Sequence, residues 1–176
     1  LNNILYHTSP QNLRKMWDDK DYYSYWENRE SVSLLLDSNK KIIDFYIDKI
    51  LKTDASIIGF TVHFSSSWAS LAIAKKIKEQ DKTRIIVFGG PDCSRQIRGD
   101  YYIRQDCVDI VVQGEGEGAL FEIIDRIDTQ KEIDQIKGCL ILKDGLIIDG
   151  GYAPGVDNLD TLPTPDYSDF KDDINS

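Results

Sequence analysis

Arg84-Ile85-Ile86-Val87-Phe88-Gly89-Gly90-Pro91 and Asp109-Ile110-Val111-Val112-Gln113-Gly114-Glu115-Gly116-Glu117 decide the fold. Each is an apolar, β-branched run that breaks off in glycine. Buried parallel strands read this way: both faces are covered, and their carboxyl ends open on a ligand crevice. Residues 56–62 form a third run of the same kind, ahead of Ser65-Ser66-Ser67. The three serines offer caps for a helix carrying Trp68, Leu71, Ala72 and Ile77. Strands are expected over 56–62, 84–88 and 109–112. A loop with a short helix fills 91–104, and a helix bearing Leu120, Phe121, Ile123, Ile124 and Ile127 follows the third strand. This alternation implies a parallel sheet with right-handed crossovers.

Further out the rhythm changes. Residues 139–142 and 146–149 flank Lys143-Asp144-Gly145, and an Asp-Gly between apolar runs signals a hairpin. Upstream, residues 1–55 read as mainly helical. Ser9-Pro10 suits a helix start, with serine as cap and proline at the first position. Ile43, Tyr46, Ile47, Ile50 and Leu51 recur at helical spacing over 40–52. Tyr22, Tyr23, Tyr25 and Trp26 crowd residues 18–29, as a ligand lid or, more simply, a packing patch. A doubly wound sheet normally opens with a strand; either Ile4-Leu5-Tyr6 is that strand or it is lost upstream, and loss is the preferred reading. An edge left bare in that way would pair with a second copy of the chain.

Composition narrows the function. The net charge is −9, which disfavours nucleic acid, because phosphate binding needs a basic surface. No apolar run is long enough to span a bilayer, and no signal peptide is evident, so a cytoplasmic setting without membrane partners is expected. Cys93, Cys107 and Cys139 are odd in number and widely spaced. They suggest no disulfide framework, and no loop holds enough of them for an iron–sulfur cluster. The chain opens on Leu1, as expected of a piece of a longer protein.

The candidate chemistry gathers at the strand ends. Gly89-Gly90 permits close backbone approach to a ligand, or simply makes a tight turn. Gly114-Glu115-Gly116-Glu117 opens a helix whose N–H groups can meet a ligand. Its two carboxylates make it a poor pyrophosphate cradle, and the dinucleotide fingerprint is absent. Glu117 also suits the helix dipole. Thr61-Val62-His63-Phe64-Ser65-Ser66-Ser67 brings hydroxyls to the same edge. His63 is either a base or metal ligand, or an ordinary packing residue; no partner His, Cys or paired carboxylate stands in its segment. No nucleophile elbow, Walker loop, zinc motif or triad is visible, so no catalytic residue and no metal ligand is assigned.

Taken together with Asn158-Leu159-Asp160-Thr161-Leu162-Pro163-Thr164-Pro165-Asp166-Tyr167-Ser168-Asp169-Phe170, these motifs resemble the cobalamin-binding-type domain at the front of radical S-adenosylmethionine (SAM) iron–sulfur oxidoreductases. The resemblance covers about residues 56–170. It implies a Rossmann-like or flavodoxin-like α/β sheet. Cobalamin-binding folds of this kind carry Asp-x-His-x-x-Gly, Ser-x-Leu and Gly-Gly motifs. Thr61-Val62-His63 occupies the Ser-x-Leu place, with Thr61 keeping the hydroxyl, and Gly89-Gly90 occupies the third. Asp-x-His-x-x-Gly is absent: His7 sits in Tyr6-His7-Thr8-Ser9-Pro10. That departure fits the radical SAM branch, where cobalt usually lacks a protein histidine, and fits equally a domain that has lost cobalamin.

What the resemblance implies is therefore a cobalamin-binding-like domain, non-catalytic alone, holding a corrinoid or substrate against a C-terminal radical SAM barrel. The expected division is a helical segment over 1–55, the α/β core over 56–130, a hairpin over 131–155 and a linker over 156–176. Cofactor contacts fall to Thr61, His63, Ser65, Ser66, Gly89, Gly90, Pro91, Gly114, Glu115 and Gly116. Gly90→Val is expected to abolish corrinoid binding with little loss of fold. A [4Fe-4S] cluster and S-adenosylmethionine belong to the parent, an oxidoreductase or methyltransferase. The alternative is the same fold without corrinoid, as a docking or interaction module. A stand-alone flavodoxin-like or response-regulator-like domain needs a phosphate loop or an acidic cluster at strand ends, and neither is evident.

Overall fold

The computed structural model describes residues 29–153 and the single positions 155, 158, 160, 163, 164 and 166. The readings of Ile4-Leu5-Tyr6, of Ser9-Pro10, of the aromatic segment before residue 29 and of most of the linker lie outside the described residues.

Among the described residues five strands form one sheet in the order β1-β2-β3-β4-β5. β1 (Ile57–Thr61), β2 (Ile85–Gly89) and β3 (Ile110–Val112) are parallel, while β4 (Cys139–Lys143) and β5 (Leu146–Asp149) return antiparallel as a hairpin continuing the same sheet. At the hairpin turn Asp144 and Gly145 both have positive φ, 53° and 77°, the twist an Asp-Gly turn supplies. The sheet is thus α/β and mostly parallel, as its strand patterns led one to expect.

Its two faces are covered unequally. On one lie α1 (Arg29–Leu51), α2 (Ser67–Gln80) and the short α3 (Gly99–Ile103). They bury Ile47, Leu71, Ala74, Ile77, Tyr102 and Ile103 against Val62, Ile86, Phe88, Val111 and Leu140. Phe88 packs its ring against Phe60 and Tyr102, at centroid distances of 5.2 and 5.6 Å. The other face has α4 (Gly116–Asp128). It seats Ala119 and Ile123 on Val87, Ile110, Val112, Cys139 and Ile141. The chain therefore leaves β2 toward one face and β3 toward the other. Diverging connections of this kind open a crevice at the carboxyl ends of neighbouring strands.

Three local expectations are corrected. α1 runs from Arg29 to Leu51, well upstream of residue 40. Its buried seam is Ile43, Ile47 and Ile50, spaced four and three apart, and Tyr46 faces out, 57 % exposed. Ser66 stands at the N-cap of α2 without a side-chain cap bond. Its backbone is αR (φ −100°, ψ −7°) rather than the extended form a cap requires. Its hydroxyl instead accepts from the His63 N–H (3.0 Å) and donates to the His63 carbonyl (3.2 Å). On α4, Leu120, Phe121 and Ile124 are exposed, and the helix is held by Ala119 and Ile123.

Candidate functional site

Alternation along the strands decides what the lightly covered face presents. Residues two apart share a face. On β1 the residues that join Ile57 on α4's side are Gly59 and Thr61. On β2 they are Val87 and Gly89. Parallel register sets Gly59 beside Val87 and Thr61 beside Gly89. A cleft of about 550 Å³ lies over this surface, lined by Gly59, Thr61, Val87, Gly89, Gly90 and Val112, with Gly114, Gly116, Glu117 and Leu120 along α4's end. That volume falls in the usual range for small-molecule sites, about 300–1,000 Å³. A Cβ added at Gly59 or Gly116 would meet nothing within 4 Å, and one at Gly89 would touch only Val112, at 3.8 Å. Absent side chains thus make the floor, not a packing defect.

Gly90 and Gly114 serve differently. Gly90 has φ +103°, and a Cβ there would lie 3.0 Å from the Val62 carbonyl oxygen and 3.1 Å from its nitrogen. The expectation that Gly90→Val spares the fold is therefore corrected: the glycine lets the turn after β2 cross the end of β1. Hydrogen bonds from the Val62 N–H to the Gly89 carbonyl (2.7 Å) and from the Asp92 N–H to the Val62 carbonyl (3.2 Å) fix that crossing. Gly114, at φ +85°, pairs with Ala153 in an isolated bridge.

Two polar networks hold the rims. Behind the Gly90 turn, buried Asp92 accepts a hydrogen bond from the Tyr102 hydroxyl and lies 3.5 Å from Arg98, whose Nη1 also reaches Ser67 Oγ at 3.2 Å. Burial, and then the Asp92 carboxylate, push the Tyr102 phenol up to about 12. Beside Gly114, Gln113 is 1 % exposed. Its amide donates to Asp149 Oδ1 (2.7 Å) and the Gly151 carbonyl (3.2 Å), and its Oε1 accepts the Arg95 N–H (3.2 Å). Arg95 pairs with Asp149 (2.8 Å), holding that carboxyl below its ordinary range.

Of the residues expected to touch a cofactor, Thr61, Gly89, Gly90, Gly114 and Gly116 line the cleft together. His63, Ser65, Ser66 and Pro91 do not. His63 and Ser66 close a local turn, and Pro91 begins a 3-10 turn (Pro91–Cys93). Glu115, the N-cap of α4, lines an adjoining concavity with Glu117, Glu122 and Lys137. Gly59, Phe60, Val87, Val112, Glu117 and Leu120 were missed as lining. A glycine inside a strand was the available signal, since it marks close approach by a ligand or another backbone. A second concavity, about 530 Å³, lies between Lys75, Lys78, Lys82 and Cys107 at the opposite ends of the strands, where sheets of this kind seldom bind. Among the described residues no group of three or more His, Cys, Asp or Glu side chains could hold a metal ion. Nor, among them, is any helix long and apolar enough to cross a membrane.

Comparison with known proteins follows the same line. No family model matches the chain. It is 30 % identical, over 123 residues and 69 % of its length, to an uncharacterized methyltransferase of Pyrococcus horikoshii. It is 25 % identical over 114 residues, 64 % of its length, to 2-(S-pantetheinyl)-carbapenam-3-carboxylate methyltransferase of Streptantibioticus cattleyicolor. The chain spans only 26 % and 17 % of those two proteins. Among solved structures it is similar to the cobalamin-dependent S-adenosylmethionine radical enzyme OxsB with aqua-cobalamin and S-adenosylmethionine bound. That likeness has a TM-score of 0.55 and 21 % identity over 65 % of this chain and 16 % of OxsB. Apo OxsB gives 0.54 and 23 % over 70 % of the chain and 17 % of OxsB. The resemblance read from the motifs therefore holds at the level of fold: this α/β sheet is one that a cobalamin-dependent radical SAM enzyme contains, and the sequence relatives are methyltransferases.

Proposed function

We propose that this chain is the corrinoid-holding domain of a radical SAM methyltransferase, and that the cleft over β1 and β2 receives the nucleotide tail of the corrinoid. The observation that carries the reading is the side-chain-free floor at Gly59 and Gly89. A flat ring on a flexible tether suits the cleft. Gly59 and Gly89 give that ring a surface to lie on, Val87, Val112 and Leu120 give it apolar walls, and Thr61 stands at the edge with a hydroxyl. Thr61 is exposed at that edge, where a hydroxyl can meet a ring nitrogen. A bound corrinoid would supply a cobalt centre able to carry a methyl group or relay an electron. The domain's own work is to hold it and to keep water from the buried ring. The [4Fe-4S] cluster and S-adenosylmethionine are assigned to a barrel elsewhere in the parent protein.

The docking-module alternative would be favoured by a crevice closed with side chains at the Gly89 edge. The open floor supports the binding reading instead. Titration with hydroxocobalamin, followed by visible absorbance and gel filtration, tests it. Co-elution with a base-off spectrum is expected. Gly59→Leu projects into open space and is expected to weaken binding by about tenfold or more, equivalent to about 1.4 kcal/mol, with an unchanged circular dichroism spectrum. Full affinity in that variant would sink the assignment of this cleft.

A further inference from the structure

The cleft is missing one kind of residue. Among the described residues no lysine, arginine or histidine lines it, and the one charged lining residue is Glu117. Glu117 lies in the first turn of α4, is exposed, and forms no ion pair among the described residues. Glu115 stands at the N-cap of the same helix. The adjoining concavity sets Lys137 against three carboxylates, those of Glu115, Glu117 and Glu122. A helix N-terminus ordinarily attracts anions, with the equivalent of roughly half a positive charge. Here two full negative charges flank it, so the balance of the field at this rim is reversed.

We propose that Glu117 is a specificity-determining residue of the cleft: it admits a neutral flat ring bearing a hydroxylated sugar, and keeps phosphate outside. The inference rests on the corrinoid reading and deepens it. The chemistry follows from what the rim can exchange. An ionised carboxylate only accepts hydrogen bonds, and so calls for hydroxyl donors. The first backbone N–H groups of α4 have no partner within the helix and only donate, and so call for acceptors. A sugar hydroxyl is both at once. A phosphate offers acceptors alone, and would face Glu117 with no cation in the cleft to neutralise it. Like charges set together at a binding surface act chiefly to reject wrong partners. In a cobalamin tail the phosphodiester lies between the riboside and the macrocycle, which places it at the mouth when the base is inside.

The test uses the full chain and three probes: hydroxocobalamin, 5,6-dimethylbenzimidazole riboside, and the 5′-phosphate of that riboside. The two small probes compete against hydroxocobalamin, read by visible absorbance. The riboside is expected to compete about tenfold better than its phosphate. Glu117→Gln should shrink that preference, and Glu117→Lys should reverse it. Circular dichroism confirms that each variant is folded, as an exposed first-turn position allows. Equal competition by the two probes, or a preference unmoved in Glu117→Lys, would overturn the inference and leave the corrinoid reading standing; no competition by either while hydroxocobalamin binds would overturn the inference together with the placing of the tail in this cleft. Failure of hydroxocobalamin to bind the unmodified chain would overturn both.

Discussion

The two faces of the sheet answer to the same backbone and opposite demands. One face is filled: Phe88, Tyr102, Ile77 and Ile86 are fully buried under helices α1 to α3. Among the described residues the other is filled by α4 over β3, β4 and Val87 of β2, and toward the carboxyl ends of β1 and β2 it presents Gly59, Thr61 and Gly89. Large apolar side chains give stability roughly in proportion to the area they bury. Their omission from a strand face gives up that stability and creates room. Along β1 the division falls within one strand: Gly59 and Thr61 line the cleft, while Ile58 packs against the filled core.

If that division is right, truncations on the two sides of the sheet must lose different things. Phe88→Ala removes a wholly buried ring and is expected to cost about 3–5 kcal/mol of unfolding free energy in denaturant melts. Leu120→Ala, at a position 43 % exposed on the cleft wall, should cost less than about 1 kcal/mol and weaken corrinoid binding instead. Comparable stability losses would break the comparison. Gly90→Val probes the seam between the faces. Its positive φ alone implies a strain of about 1–3 kcal/mol, and the Val62 backbone contact adds to it. A melt unchanged from the parent's would show that the turn after β2 is freer than its hydrogen bonds indicate.

The smallest effect concerns pH. Tyr102 is held neutral, its pKa raised to about 12 by burial and by the Asp92 carboxylate. A phenol whose folded value lies above its unfolded one stabilises the fold fully below the unfolded value, about 10, and loses that contribution as pH rises through the folded value. Unfolding free energy should therefore decline between about pH 10 and 12, where the buried thiols of Cys93 and Cys139 also titrate, and Tyr102→Phe should lessen that decline. An identical slope in the variant would remove Tyr102 as the cause.

Much of the filled face was legible in the sequence, because β-branched runs ending in glycine announce buried strands, and helical spacing finds Leu71 and Ile77. The hairpin was legible in Asp144-Gly145. The cleft was half legible. Motif reasoning reached Gly89, Gly90 and Thr61, which follow the runs in sequence, but swept in His63, Ser65, Ser66 and Pro91 as neighbours along the chain. Neighbours along a chain point to different places once it turns, and these went into turn geometry. Gly59 went unread because a glycine within an apolar run says nothing of which face it serves until register sets Gly59 beside Val87. Gln113 was invisible for another reason: its partners Asp149 and Gly151 come from the returning hairpin.

That glutamine has a mechanical meaning. The strand leaving the hairpin is fastened to the wall of the cleft, with the Ala153 N–H on the Gln113 carbonyl at 3.4 Å and Gly151 on the Gln113 side chain. The Gly114–Ala153 bridge continues the same seam, one residue before Glu115, the N-cap of α4. Cleft wall and returning chain are thus one hydrogen-bonded seam, with Gln113 as its stitch.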